Sequence, residues 1–112
     1  MGILDRFDQK GRASIDITST GDTTLIVAPT NGDHIEIDFM NVFINIATTI
    51  TFKDGTSAIG GSYNLEDKST IVFENTSGFH PPIILASNSA FVINQSETSQ
   101  ISGWVNYRIV GK

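Results

Sequence analysis

The stretch Ile101-Ser102-Gly103-Trp104-Val105-Asn106-Tyr107-Arg108-Ile109-Val110 decides the fold. It reads as one β-strand, ending two residues before the last residue of the sequence. Side chains alternate across a strand, so Val105, Tyr107 and Ile109 share one face and read as core. Trp104, Asn106, Arg108 and Val110 share the other, where a large aromatic stands among polar groups. The backbone groups of such a strand need partners, so it must complete a sheet begun much earlier. The expectation is a closed antiparallel all-β unit with an adhesive face.

Upstream, the pattern is strand, turn, strand from Ser14 onward. Ile15 and Ile17 alternate with polar residues before a turn at Thr20-Gly21-Asp22. Thr24–Ala28 forms a second strand, ended by Pro29 and the turn signal Asn31-Gly32. Ile35, Ile37 and Phe39 then alternate with acids, after which the apolar phase slips to Met40, Val42, Ile44 and Ile46. A slip of one residue within a continuous strand marks a β-bulge or a bend between sheets. Ile50 and Phe52 lead into a hairpin at Lys53-Asp54-Gly55-Thr56. Tyr63 with Leu65, Ile71 with Phe73, Ile83–Leu85 and Phe91–Ile93 mark further short strands. About eight strands at this spacing predict an antiparallel sandwich or barrel.

Residues 1–12 differ from the rest. Ile3, Leu4 and Phe7 sit at helical spacing among charged neighbours, and Gly11 closes the segment. The sequence thus divides into an N-terminal arm, residues 1–12, and a β-sandwich domain, residues 13–112. The arm is either a frayed end or an extension whose apolar side chains dock on a neighbour.

Composition narrows the function. The net charge of −5, with seven basic residues scattered along the chain, disfavours nucleic acid, which demands a Lys/Arg surface. Anionic membrane is disfavoured on the same ground. Cysteine is absent, which removes disulfides and thiolate metal sites. No apolar run approaches the ~20 residues of a membrane-spanning helix, and the first residues carry neither a secretory pattern nor a myristoylation motif. These features predict a soluble, unanchored chain made in the cytoplasm.

Chemistry is sparse. His34, Glu36 and Asp38 alternate onto one strand face, a spacing that suits a metal site and equally the polar exterior of a half-exposed strand. His80 precedes Pro81-Pro82 and reads as a loop residue. Glu36 with Asp38, or Glu66 with Asp67, is a conceivable carboxylate dyad, but nothing sets the separation that such chemistry needs. Nucleophile elbow, phosphate loop and dinucleotide fingerprint are all missing. The reading is a protein that is not an enzyme and needs no cofactor. The aromatics carry the interest instead. Trp104 and Tyr63 suit a stacking platform for a sugar, and Phe43, out of phase with Val42 and Ile44, suits a subunit interface or ligand surface.

The run from Gly32-Asp33-His34-Ile35 through Ile50-Thr51-Phe52-Lys53-Asp54-Gly55-Thr56 to Ile101-Ser102-Gly103-Trp104-Val105-Asn106-Tyr107 resembles small all-β virion proteins of tailed bacteriophages. The similarity spans most of residues 14 to 110. It implies a jelly-roll-like sandwich, a homotrimer, and a role as a capsid decoration (cement) protein bound to the major capsid protein. The protein would then reside in the virion, assembled in the host cytoplasm. It also implies that Ile3, Leu4 and Phe7 form a capsid-contact arm. The alternative it leaves open is a receptor- or glycan-binding module of a phage tail, fibre or baseplate, with a host glycan as partner.

Overall fold

The computed structural model describes residues 9–75 and 82–111. They form nine strands: β1 (Gln9–Ile17), β2 (Gly21–Ile26), β3 (His34–Ile44), β4 (Thr48–Asp54), β5 (Ser57–Leu65), β6 (Thr70–Glu74), β7 (Ile83–Ile84), β8 (Phe91–Gln95) and β9 (Ile101–Val110). One sheet has the order β1-β9-β3-β6, with the short β7 also paired to β3; the other has the order β2-β8-β4-β5. All pairings are antiparallel. Successive strands cross from one sheet to the other through β4, then return by way of the β4–β5 hairpin. This wrapping of one long antiparallel ribbon is a jelly roll, with β7 as an addition.

The decisive strand, β9, lies between β1 and β3, so the two ends of the described chain are neighbours in the sheet. Its inward residues are Ile101 and Val105, both fully buried, continued by the half-buried Tyr107 and Ile109. Facing them across the sandwich are Ile50 and Phe52 of β4 and Phe91 and Ile93 of β8. Phe52 is the hub, stacked on Phe91 at 6.2 Å and edge-on to Phe73 at 5.6 Å. Each such side chain contributes about 1.5–3 kcal/mol of transfer free energy on burial.

Alternation holds along β3 except at one point. Ile37 pairs with Tyr107 and Phe39 pairs with Asn106, leaving Asp38 as the extra residue of a bulge. Ile37 and Met40, three apart, are therefore both fully buried. The phase slip read from sequence is present, but it falls before Phe39 rather than after it. Phe39 consequently leaves the inward series and joins the outer face of the sheet.

Two turns are set by local chemistry. Asn31 and Gly32 both take left-handed φ (60° and 82°), and Asp33 N–H donates to Thr30 O at 3.1 Å. The β4–β5 hairpin turns on Gly55-Thr56, where Gly55 at φ 66° supplies the conformation that the first position of a tight hairpin turn requires.

Gln9–Arg12, placed in the arm by the sequence reading, are the first residues of β1 and pair with Ile109 through Asn106. Pairing with β9 orders these four residues as strand. Ile3, Leu4 and Phe7 lie outside the described residues, as do His80 and Pro81.

Candidate interaction surface

The two outer faces of the sandwich differ in kind. Cross-strand rows in an antiparallel sheet put paired residues on the same side. On the four-stranded sheet one row reads Asp22, Asn94, Thr51, Ser62. Asn94 Nδ2 donates to Asp22 Oδ1 at 2.8 Å, and Lys53 Nζ stands 3.0 Å from Asp22 Oδ2. The Asn94 bond first, and the Lys53 bond second, hold the Asp22 carboxyl below its ordinary pKa. Thr51 bonds Ser62 at 2.7 Å, and Thr49 Oγ1 donates to Asn64 Oδ1 at 2.8 Å. This face is a mesh of small polar groups, internally satisfied.

On the five-stranded sheet the corresponding rows are Ser14, Trp104, Asn41, Val72 and, beside it, Arg12, Asn106, Phe39, Glu74. Trp104 is 38% exposed, Phe43 40% and Val72 54%, and these residues with Phe39 make one apolar band across the middle of the sheet. Phe39 and Trp104 lie 5.9 Å apart, ring to ring. The Arg12 guanidinium sits 5.6 Å over the Trp104 ring, and Arg12 Nε donates to Asn106 Oδ1 at 3.0 Å. On the other side, Trp104 N–H donates to Asn41 Oδ1 at 2.9 Å. That approach depends on Gly103, because a Cβ there would stand 2.0 Å from the Asn41 carbonyl oxygen.

Tyr63 does not join this band. Its ring packs on Phe52 at 5.7 Å and Phe73 at 6.2 Å, sealing the core where the edge strands β5 and β6 of the two sheets meet. The sugar platform of Trp104 with Tyr63 is therefore not assembled. The sequence reading missed Phe39 and Val72, and the single signal for them was the phase slip in β3.

His34, Glu36 and Asp38 do come together, around Arg108. His34 Nε2 lies 2.7 Å from Glu36 Oε2. Arg108 Nη2 donates to Glu36 Oε1 at 3.2 Å and to Asp38 Oδ1 at 3.1 Å, while its Nε stands 2.9 Å from Asp38 Oδ2. The oxygens that a cation would need are committed to a guanidinium. Among the described residues no group of three or more His, Cys, Asp and Glu is placed to hold a metal ion. Of the other carboxylates, Asp67 accepts the Ala47 N–H at 2.7 Å and Asp54 the Ala86 N–H at 3.0 Å, both fixing loops. A cleft of about 350 Å³ at one end of the sandwich is lined by Thr48, Asn64, Ser96, Glu97 and Ser99. Thr48 Oγ1 donates to Gln95 Oε1, while Ser96 Oγ and Ser99 Oγ accept the Thr49 and Ile46 N–H groups, so these hydroxyls hold loops and core together.

No protein-family model and no curated protein matches the chain. A solved structure from Bacillus endospore appendages, described as a novel family of disulfide-linked pili, is similar over 95% of this chain and 92% of that chain, with a TM-score of 0.51 and 13% sequence identity. At that identity the likeness is one of fold.

Proposed function

We propose that this chain is a non-enzymatic structural protein working through protein–protein contact, and that its specific role is decoration of a tailed-bacteriophage capsid by binding the major capsid protein. The contrast between the outer faces carries this reading. One is a satisfied polar mesh, while the other presents a central aromatic band ringed by polar and charged residues, the anatomy of a contact surface. The groups that suggested chemistry are engaged in holding the sheet together. In this reading Ile3, Leu4 and Phe7, which precede β1 in the sequence, supply a further capsid contact.

The test is co-sedimentation of the purified protein with capsids lacking it. Pelleting that is lost in Phe43→Ser and on deletion of residues 1–8, with the fold intact by circular dichroism, supports the reading. Failure of the native protein to pellet overturns capsid decoration.

A second reading, a filament subunit, is favoured by the fold likeness to the pilus protein. It gains from β5, an edge strand of nine residues, Ser57–Leu65, largely exposed and without charge or proline, because such an edge readily accepts another strand. With no cysteine in the sequence, such a filament would be held by non-covalent contacts. Electron microscopy of the concentrated protein distinguishes the two. A glycan-binding role has less support, since the Tyr63 ring is used by the core and one face of Trp104 is covered by Arg12.

A further inference from the structure

The aromatic face also carries a pattern of charge. On the half formed by β1 and β9 the outward ionic side chains include Lys10, Arg12 and Arg108; on the half formed by β3 and β6 they include Glu36, Asp38 and Glu74. Asp16, on β1, departs from this pattern and is engaged by Gln100 Nε2 at 2.8 Å. His34, on β3, is engaged by Glu36. The row Arg12–Asn106–Phe39–Glu74 runs the width of the sheet and ends in opposite charges, both on exposed residues.

We infer that the occupant of this face is a second copy of the chain, packed sheet to sheet about a two-fold axis parallel to the strands. This rests on the proposed contact role of the face but assigns that contact to self-association. Capsid binding by the dimer then falls to Ile3, Leu4 and Phe7, and the Phe43→Ser loss of pelleting would follow from loss of the dimer. A two-fold rotation about a line between β9 and β3 carries β1 of one copy over β6 of the other at the same height. Arg12 of each copy then faces Glu74 of its partner, so one row supplies two identical ion pairs, as an isologous contact requires. Phe39 lies over the partner's Asn106, and Trp104 over the partner's Asn41, so bulky side chains meet shorter ones. Packed sheets rotate by about 30°; over the half-width of the row, about 7 Å, this moves the charged ends by about 4 Å, within reach of Arg and Glu side chains. Four strands at about 4.8 Å and ten residues at about 3.3 Å give a face of roughly 600 Å² before side-chain relief is counted, comparable with the ~800 Å² per partner of a standard interface. The other orientation, with the axis perpendicular to the strands and in the plane of the contact, sets β1 over β1 and like charge over like.

The experiment is sedimentation equilibrium of the full chain over a range of concentrations at low and high salt, with charge-reversal variants. The expected species is a dimer whose dissociation constant rises with salt. Glu74→Arg alone and Arg12→Glu alone each weaken it at least about tenfold, because each contact occurs twice. The double variant, with the charges exchanged, recovers affinity to within about threefold of native. Glu74 is exposed and makes no ring contact, so Glu74→Arg keeps the fold even where Arg12→Glu disturbs Trp104. A monomer at all concentrations, a trimeric mass, or single reversals without effect overturns the pairing. A monomer that still pellets with capsids overturns the pairing alone and leaves the contact role standing.

Discussion

Gly103→Ala tests the architecture at its most crowded point. Gly103 lies in the middle of β9, between Ile15 of β1 and Val42 of β3, at φ 143°. A side chain in that conformation costs about 1–3 kcal/mol. The added Cβ would also stand 2.0 Å from the Asn41 carbonyl oxygen and 2.9 Å from its carbon. Both are backbone atoms in the central pair of strands, so no flexible side chain can swing aside. Relief requires β3 and β9 to separate locally, at the cost of about 1–3 kcal/mol that overpacking usually brings. The sum, about 2–6 kcal/mol, is a large part of the roughly 5–15 kcal/mol that holds a domain of this size. At about 4 °C per kcal/mol it lowers Tm by roughly 8–24 °C. Gly61 is the control: it sits on the exposed edge strand β5, with nothing within 4 Å of an added Cβ. Gly61→Ala should change stability by less than about 0.5 kcal/mol. Calorimetry or urea titration reads both. A Gly103→Ala protein melting within about 3 °C of native, or no worse than Gly61→Ala, refutes the close approach of β9 to Asn41.

Other substitutions test other layers. Gln95 is 1% exposed; its Oε1 accepts from Thr48 Oγ1, and its Nε2 donates to Ser19 O and Ser99 O. Gln95→Leu preserves bulk but strands those partners, so urea titration should show a loss of about 2–3 kcal/mol. Arg108→Ala leaves Glu36 and Asp38 facing each other, at side-chain exposures of 16% and 29%. It should cost about 2 kcal/mol, less than a fully buried pair because water still screens the site; adding Glu36→Gln and Asp38→Asn should recover most of the loss, and no recovery would refute the charge account. Asp22 has its pKa lowered by folding, so its contribution is complete above the unfolded carboxylate value and is lost as pH falls through the folded one. Asp22→Asn should therefore lower stability slightly at neutral pH, leave it nearly unchanged at a pH below the folded value, and so flatten the acid limb of the stability curve.

The jelly roll was partly legible in single strands. The alternation of Val105, Tyr107 and Ile109 against Trp104, Asn106 and Arg108 identified both faces of β9 and required a partner strand far upstream. That partner is β1 together with β3. Their identity was not legible, because period-two alternation says which face a residue takes but not which strand lies beside it. Gln9–Arg12 were misread for a related reason. An edge strand exposed on one face has little apolar alternation, and its order comes from pairing with β9 rather than from its own residues. The inward turn of Tyr63 was hidden similarly: Gly60 and Gly61 interrupt the alternation in β5, and the pairing of Tyr63 with Ile50 sets its face.

The candidate surface shows the same division at the level of function. Trp104 and Phe43 stood out because each is a large apolar residue in a polar phase. Phe39 did not, because the alternation of Ile35, Ile37 and Phe39 is unbroken in sequence. The bulge at Asp38 turns it outward, and the Arg108 bonds to Glu36 and Asp38 fasten that bulge to β9. The ionic cluster that looked like a metal site thus acts as a structural pin, and Phe39 beside Trp104 is its consequence. The separation of charge between the two halves of the face is further still from the sequence. Arg12, Arg108, Glu36 and Glu74 are spread over most of the chain, and they form an ordered dipole only after the strands are arranged β1-β9-β3-β6. If the pin sets the face, Arg108→Ala should weaken self-association more than its modest loss of stability implies, because Phe39 loses its fixed place. An Arg108→Ala protein that is destabilised yet dimerises with native affinity would separate the pin from the face and leave Phe39 outward for another reason.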